Sequence, residues 1–191
     1  MRIIAGQYRG RRLRAVAGRQ TRPTADRVRE ALFSSLHARL GSLAELRVLD
    51  AFAGSGALGL EALSRGAALV VACEVNREAL STIQANAEAL DAGLARFQVA
   101  AADVFSLPAR LATLDPFDLV LLDPPYDTDP ARINAWLSEC VHAGVLAAGA
   151  VIVWEQAARG AAEYDAPITT LDEKRYGTTV LTFGQLRGGV T

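Results

Sequence analysis

RVLDAFAGSGALG, residues 47–59, is the segment that says most about the fold of this chain. It begins as a short apolar run that ends in Asp50, passes through glycines at 54, 56 and 59, and leads into an Ala/Leu-rich helical segment. Glycines at this spacing let the backbone turn tightly and approach a ligand closely at a helix N-terminus. The pattern therefore predicts a strand, a glycine-rich loop and a helix that together bind an adenosine-containing cofactor.

Acidic residues follow the later apolar runs in the same way. Glu74 lies 20 residues beyond Gly54, after the run 69–73, where an acid at the tip of a second strand would meet ribose hydroxyls. Asp103 follows a third run and could accept a hydrogen bond from an adenine amino group. Asp123 closes a fourth run. Such an ordered series is much stronger evidence for a cofactor site than a glycine-rich loop alone.

The position of Asp50 bears on which cofactor is bound. In a dinucleotide site the first glycine usually follows the strand directly, whereas here Asp50 and three small or apolar residues intervene. A carboxylate there would repel a pyrophosphate and attract an ammonium group. S-adenosylmethionine carries that ammonium and no phosphate, so it is the predicted cofactor. The residues predicted to bind it are Asp50, Phe52, Ala53, Gly54, Ser55, Gly56, Glu74, Val75, Asp103 and Val104.

Strand-like and helix-like segments alternate along the chain. Alternation of this kind predicts a doubly wound α/β fold with ligands at the carboxyl ends of parallel strands. Two further strands, 168–171 and 179–183, are joined by a turn at 174–177 and predict a C-terminal antiparallel hairpin. We therefore expect a mostly parallel, Rossmann-like sheet of seven strands, and a small N-terminal hairpin over residues 3–16. The first five strands are predicted near 47–50, 69–74, 96–100, 118–123 and 150–154, and the helices near 24–40, 57–65, 77–90 and 132–143.

A second motif, Asp123-Pro124-Pro125-Tyr126, follows the apolar run 119–122. The two prolines fix φ and remove two backbone donors, so the loop leaves the sheet in one shape with free carbonyl groups. An exocyclic amine on a base could donate to the Asp123 carboxylate and the Pro124 carbonyl, which would aim its lone pair at an electrophile. Tyr126 could stack on the base. The alternative is a purely structural end to the strand, because proline cannot continue a central strand.

Arginine is concentrated at the N-terminus. Residues 1–30 contain nine of the 20 basic residues against two acidic ones, a local charge of +7, whereas the rest of the chain carries 11 basic and 19 acidic residues, or -8. Guanidinium groups pair bidentately with phosphate, so this region predicts a nucleic-acid contact. The alternative is a solvated basic face. The predicted RNA-binding residues are Arg9, Arg11, Arg12, Arg22, Arg27 and Arg175.

Composition sets limits on the remaining properties. A chain of 191 residues with 51% hydrophobic residues can bury one α/β core. We expect an N-terminal basic extension, residues 1–23, and a catalytic domain, residues 24–191. The sequence has no signal peptide or membrane-length apolar run, which predicts a cytoplasmic protein without a membrane partner. The cysteine and histidine residues lack metal-ligand spacing, so no metal is predicted: Cys73, Cys140, His37 and His142.

Several segments spread along the chain match one known family: Arg2 to Gly6 with Tyr8 to Arg11, Thr21 to Thr24 leading to Asp26 to Phe33, Phe52 to Gly59, Asp123 to Tyr126, and Arg175 to Gly177. On these segments the chain resembles, over nearly its whole length, the bacterial 16S ribosomal RNA guanine-N2 methyltransferases of the small subunit. The resemblance implies an S-adenosylmethionine-dependent enzyme, acting as a monomer, whose target is a guanine in a hairpin loop of 16S ribosomal RNA, within a small subunit or an assembly intermediate.

Two other functions remain open at this level. The Asp123 motif would serve any exocyclic amine, so a DNA adenine-N6 or cytosine-N4 methyltransferase is the nearest alternative. A chain of this length leaves no room for a separate target-recognition domain, which argues against it. A non-catalytic RNA-binding assembly factor is the other alternative, although the presence of every expected cofactor acid disfavours it.

Overall fold

The structure, a computed structural model, describes residues 1–16 and 23–188. The chain forms two compact units, Met1–Ala102 and Asp103–Thr191. The predicted α/β class is confirmed: the sheet has seven strands in the order β3-β2-β1-β4-β5-β7-β6. The strands are β1 (Arg47–Asp50), β2 (Leu69–Glu74), β3 (Phe97–Ala101), β4 (Phe117–Leu122), β5 (Leu146–Ala157), β6 (Ile168–Tyr176) and β7 (Thr179–Leu186). The helices are α1 (Pro23–Leu40), α2 (Ala57–Ser64), α3 (Arg77–Ala89), α4 (Pro108–Leu111) and α5 (Pro130–His142).

The first unit is built on three parallel strands. β2 pairs with β1 and with β3, and its first five residues are buried. An uninterrupted apolar run of this kind is typical of a parallel strand that is covered on both faces. In α1, the buried residues Val28, Leu32 and Leu36 recur every four positions and so form one apolar stripe.

The second unit combines one parallel and two antiparallel pairings. β4 pairs with β5 in parallel, whereas β7 pairs antiparallel with both β5 and β6. In α5, the residues Ile133, Trp136, Leu137 and Cys140 are buried at helical spacing. The C-terminal hairpin is confirmed, but its strands are longer than predicted. β6 continues through Arg175 and Tyr176, which the sequence had placed in the turn, because their backbones pair with β7.

The predicted N-terminal hairpin takes a different form. The backbone turns back between residues 5 and 10, and one isolated antiparallel bridge joins Arg2 to Arg12. Further backbone bonds run from Ile3 N–H to the Arg11 carbonyl and from Leu13 N–H to the Met1 carbonyl. No continuous ladder forms over residues 1–16, because most of the other bonds made by this backbone go to α2 and α3. We call residues 1–16 the N-terminal segment.

Candidate active site

The glycine loop, residues 51–56, connects β1 to α2. Gly54 and Gly56 have φ values of 55° and 79°, in the left-handed region that favours glycine. A Cβ on Gly56 would lie 2.5 Å from Ile83 Cγ1, and one on Gly59 would lie 2.9 Å from Val70 Cγ1. Gly56 is therefore required by the turn and by packing, and Gly59 by the close approach of α2 to the strands.

Asp50 is completely buried at the end of β1. Its Oδ2 accepts a hydrogen bond of 2.9 Å from the Gly59 backbone N–H, in the first turn of α2. An anion at a helix N-terminus is favourable because it meets the positive end of the helix dipole. Asp50 therefore fixes α2 against β1. Its predicted contact with an ammonium group is a second role, which stays a prediction.

Glu74 connects the end of β2 to the glycine loop. Its Oε2 accepts from Gly54 N–H at 2.8 Å, and its Oε1 accepts from Val75 N–H and Asn76 N–H, both at 2.7 Å. A carboxylate offers roughly four acceptor positions, so three backbone donors leave room for a hydroxyl donor. This geometry fits a ribose hydroxyl at Glu74.

The other predicted residues around the glycine loop differ in exposure. Val75 is 66% exposed, an unusual position for a valine, and offers an apolar surface beside Glu74. Phe52 and Ser55 are half-buried, whereas Ala53 is buried. Ala53 N–H donates to the Cys73 carbonyl at 2.9 Å, so the start of the loop is held by the backbone of β2. An adenine or methionine group would meet Val75, Phe52 and Ser55 rather than Ala53.

Asp103 and Val104 open the second unit. Asp103 is exposed, and it caps a short 3-10 helix by accepting a hydrogen bond of 3.1 Å from Phe105 N–H. Its Oδ2 also lies 3.5 Å from Arg132 Nη2, and the Arg132 guanidinium stacks on the Phe105 ring at 3.7 Å. Val104 is buried, and its carbonyl accepts from Trp136 Nε1 at 2.9 Å. The sequence did not reveal Arg132, which holds the acid expected to contact adenine.

The Asp123 motif forms the loop directly after β4. Asp123 and Pro125 are exposed, Pro124 is buried, and the Tyr126 ring is 74% exposed. Thr128 N–H donates to the Pro125 carbonyl at 2.9 Å, and Asp129 caps α5. The loop is therefore fixed at both ends while it presents a carboxylate and an aromatic ring. A carboxylate beside an exposed aromatic ring is compatible with a planar base that carries an exocyclic amine.

Glu155 is a candidate site residue that the sequence reasoning missed. In the parallel pairing of β4 with β5, Leu122 lies opposite Trp154. The next residue along each chain segment is Asp123, directly after β4, and Glu155, within β5. Burial, and then the negative charge of Asp123, raise the pKa of Glu155 to about 8. Glu155 therefore carries a proton at neutral pH beside Asp123. An acid directly after the apolar run Val151–Trp154 was the signal that could have identified it.

The predicted RNA-binding arginines fall into three places. Arg9, Arg11 and Arg12 are exposed on the N-terminal segment, and Arg27 is exposed on α1. Arg175 is exposed on β6 in the second unit, 3.9 Å from Glu173. Arg22 lies outside the described residues. Arg11 has an additional role, since its Nη2 donates to the Ala89 carbonyl at the end of α3.

Within residues 1–16 and 23–188, the structure contains no group of three or more His, Cys, Asp or Glu side chains that could hold a metal ion. Over the same residues, no helix has the length and apolar character that crossing a membrane requires. Cys73 and Cys140 are both buried and are not joined in a disulfide.

Comparison with known proteins agrees with this geometry. Ribosomal RNA small subunit methyltransferase D of Escherichia coli (strain K12) is 44% identical over 126 residues, which are 66% of this chain and 60% of that protein. The Haemophilus influenzae protein of the same name is 36% identical over 126 residues, or 66% of this chain and 64% of that protein. The chain thus spans less than two thirds of the length of these relatives.

A solved structure extends the similarity to nearly the whole chain. An Escherichia coli protein, yhhF, which carries a provisional methyltransferase name, superposes with a TM-score of 0.81 at 32% identity and covers 98% of both chains. The names of the relatives confirm the resemblance to small-subunit ribosomal RNA methyltransferases that the motifs predicted. Residues 1–185 match the family described as Conserved hypothetical protein 95, and the chain belongs to that family.

Proposed function

We propose that this protein transfers a methyl group from S-adenosylmethionine to the exocyclic N2 of a guanine in 16S ribosomal RNA. The observation that carries the proposal is the loop after β4, which presents Asp123 and Tyr126 on a frame made rigid by two prolines. The similarity to small-subunit ribosomal RNA methyltransferases supports an RNA substrate. The choice of guanine N2 rests on the resemblance in the sequence motifs.

The glycine loop and Glu74 are proposed to hold the cofactor. Glu74 retains acceptor capacity for a ribose hydroxyl after its three backbone bonds, and Val75 offers an apolar surface for adenine. Asp50 would neutralise the ammonium of the methionine moiety. When bound, the cofactor supplies a methyl group on a positively charged sulfur, which is an electrophile that needs no metal.

Asp123 is proposed to orient the amine. Its carboxylate would accept one N2 hydrogen and the Pro124 carbonyl the other, which would orient the nitrogen lone pair for attack on an electrophile. A bound cofactor would supply the methyl group, and Asp123 would accept the proton that the methylated nitrogen releases and pass it to solvent. Tyr126 stacks on the guanine ring, since a base–aromatic stack contributes about 1–3 kcal/mol.

Burial, and then the charge of Asp123, raise the pKa of Glu155 to about 8, so Glu155 adds little negative charge beside Asp123 at neutral pH. A neutral Glu155 can also donate a hydrogen bond to Asp123 or to the base. Most of the rate acceleration is expected from proximity and orientation. Aligning two bound reactants can lower the activation free energy by about 7–11 kcal/mol.

The N-terminal segment is proposed to bind RNA phosphates through Arg9, Arg11 and Arg12, with Arg27 on α1. The target base must be unstacked to reach Asp123, so we place it in a loop, or flipped out at a cost of a few kcal/mol. We further propose that the protein acts as a cytoplasmic monomer on a small subunit or an assembly intermediate.

One experiment tests the activity. The protein is incubated with S-adenosylmethionine labelled in the methyl group and, separately, with assembled small subunits, naked 16S ribosomal RNA and duplex DNA. We expect label in one of the RNA-containing substrates, and nucleoside mass spectrometry should identify it as N2-methylguanosine. Label in DNA would instead support the DNA methyltransferase. Binding of RNA with no label in any substrate would support the non-catalytic assembly factor.

A further inference from the structure

Asn86 is a buried polar residue in the last turn of α3, only 1% exposed. Its Oδ1 accepts from Arg14 N–H at 2.7 Å, and its Nδ2 donates to the Arg14 carbonyl at 3.0 Å and to the Ser55 carbonyl at 2.9 Å. An asparagine amide has two donor hydrogens and one acceptor oxygen, so every polar group of this side chain is used.

The partners of Asn86 come from separate parts of the chain. Arg14 lies 72 residues away on the N-terminal segment, and Ser55 lies 31 residues away in the glycine loop. The amide pairs with both backbone groups of Arg14 as a neighbouring strand would. The side chain of Asn86 therefore fixes the position of the arginine-rich segment relative to the glycine loop.

Residues 4–8 of the N-terminal segment are attached to α2, the helix that follows the glycine loop. The buried Glu61 carboxylate accepts from Ile4 N–H at 2.7 Å and from Ala5 N–H at 3.0 Å. Ser64 Oγ accepts from Tyr8 N–H at 3.0 Å. These contacts hold residues 4–8 against α2, and Arg11 donates to the Ala89 carbonyl at the end of α3. Asn86 differs from these contacts because its side chain also binds the glycine loop, through the Ser55 carbonyl.

We propose that Asn86 is a positioning residue that couples the binding of RNA phosphates by the N-terminal segment to the binding of the cofactor by the glycine loop. The inference rests on the proposed function, from which it takes both ligands. A ligand that orders one partner of Asn86 lowers the cost of ordering the other, so each ligand tightens the binding of the other by the same factor.

The variant Asn86→Asp keeps the acceptor atom of this side chain and removes its two donor hydrogens. An aspartate of nearly the same shape keeps an acceptor for Arg14 N–H but loses both donors, so the carbonyls of Arg14 and Ser55 lose their partner. Gln84→Ala is the matched control, because Gln84 is an exposed residue of the same helix. Neither position belongs to the proposed cofactor or RNA contacts.

The test measures the dissociation constant of S-adenosylhomocysteine by calorimetry with and without saturating 16S ribosomal RNA. In the parent protein we expect RNA to tighten cofactor binding about fivefold or more, the lower end of ordinary coupling between sites. The same factor should appear when RNA affinity is measured with and without S-adenosylhomocysteine. In Asn86→Asp the factor should fall close to one, and in Gln84→Ala it should be unchanged.

The outcomes separate this inference from the proposed function. Failure of the parent protein to bind either ligand would overturn the proposed function. Binding of both ligands without coupling, or full coupling in Asn86→Asp, would overturn the role of Asn86 and leave the function intact. Loss of both affinities with unchanged coupling would also contradict it, since that is what a merely structural residue would show.

A measurement on the parent protein covers the case in which Asn86→Asp does not fold. Hydrogen exchange is followed at two amides of the N-terminal segment, Arg14 N–H, which is bonded to Asn86, and Gln7 N–H, which is bonded to the Ser64 carbonyl. S-adenosylhomocysteine should slow exchange at Arg14 more than at Gln7. Equal slowing at both amides, or none at Arg14, would overturn the proposal.

Discussion

Glu74 Oε2 accepts a hydrogen bond of 2.8 Å from Gly54 N–H, across 20 residues of sequence. The acid at the tip of β2 thus holds the glycine loop in place as well as facing the proposed ribose site. A substitution at Glu74 therefore removes both a structural anchor and a cofactor contact, and the choice of variant decides which of the two is tested.

We expect Glu74→Gln to raise the dissociation constant of S-adenosylhomocysteine by about 10- to 100-fold, because a hydrogen bond to a charged group contributes about 1.5–3 kcal/mol. The amide keeps one acceptor for the backbone donors, so the loss of stability should be smaller than in Glu74→Ala. Calorimetry and urea unfolding measure the two effects. Unchanged affinity in both variants, or tight binding of NAD to the parent protein, would exclude the proposed cofactor site.

Asp123→Ala should lower turnover about 10²- to 10³-fold, the usual effect of removing one group that stabilises a transition state. Asp123 is exposed and follows the end of β4, so cofactor affinity should be largely retained. Single-turnover methylation with saturating RNA gives the rate, and calorimetry gives the affinity. A near-normal rate would mean that the Asp-Pro-Pro-Tyr motif is structural.

Glu155 predicts a dependence of stability on pH. The pKa of its carboxyl is raised from 4.5 to about 8 in the folded protein, by burial first and by Asp123 second. Between these two values the folded state binds more protons than the unfolded state. The free energy of unfolding contributed by this group therefore falls as the pH rises from about 4.5 to about 8 and is constant above that.

Glu155→Gln should lack this slope and be more stable than the parent at pH 8, by an amount on the order of a few kcal/mol. Asp123→Asn should lower the pKa of Glu155 only in part, because burial is the larger cause. Urea unfolding between pH 5 and pH 9 compares the three proteins. Parallel curves for the parent and Glu155→Gln would show that Glu155 titrates normally.

The salt dependence of RNA binding tests the N-terminal arginines. Each phosphate contact contributes a slope of roughly 0.7–0.9 in log affinity against log salt concentration. Arg11→Ala with Arg12→Ala should therefore weaken RNA binding and flatten the slope by up to roughly two units. Cofactor affinity in the absence of RNA should not change. An unaltered slope would indicate that the N-terminal arginines form a solvated basic face and that RNA binds elsewhere, with Arg175 as the next candidate contact.

The single variants refine this test, because the two arginines differ in the structure. Arg11 also donates to the Ala89 carbonyl, so Arg11→Ala should lower the thermal midpoint slightly. Arg12→Ala should change the salt slope without that loss. Arg110→Ala, which removes an exposed arginine on α4, is the control for a general change of charge.

Glu61 is completely buried and anchors the N-terminal segment, because its carboxylate accepts from Ile4 N–H and Ala5 N–H. It also forms an ion pair with the Arg65 guanidinium. Glu61→Ala should lower the free energy of unfolding by about 3–5 kcal/mol, as expected when one member of a buried ion pair is removed. Glu88→Ala, at an exposed site, should change it by less than about 0.5 kcal/mol. Urea unfolding measures both, and similar small losses would mean that the segment is held by other contacts.

Much of the fold and part of the site followed from local sequence patterns. The strand ends at Asp50 and Glu74 were predicted to the residue, because an apolar run closed by a polar residue and followed by glycine or a helix start marks a buried parallel strand. The end of β6 was predicted poorly. Arg175 and Tyr176 have turn-like neighbours, but pairing with β7 overrides that local preference.

Local sequence was enough to predict the glycine loop, the order of the strands along the chain and the Asp-Pro-Pro-Tyr loop, since each depends on the conformations of a few adjacent residues. Three properties arise only in the folded chain: Asn86 binds both Arg14 and Ser55, Glu61 binds Ile4, and the pKa of Glu155 is raised to about 8. These properties depend on burial and on contacts between residues far apart in sequence. Local patterns do not encode them, because a polar side chain is stable in the interior only where the whole fold brings it a partner or lets it remain neutral.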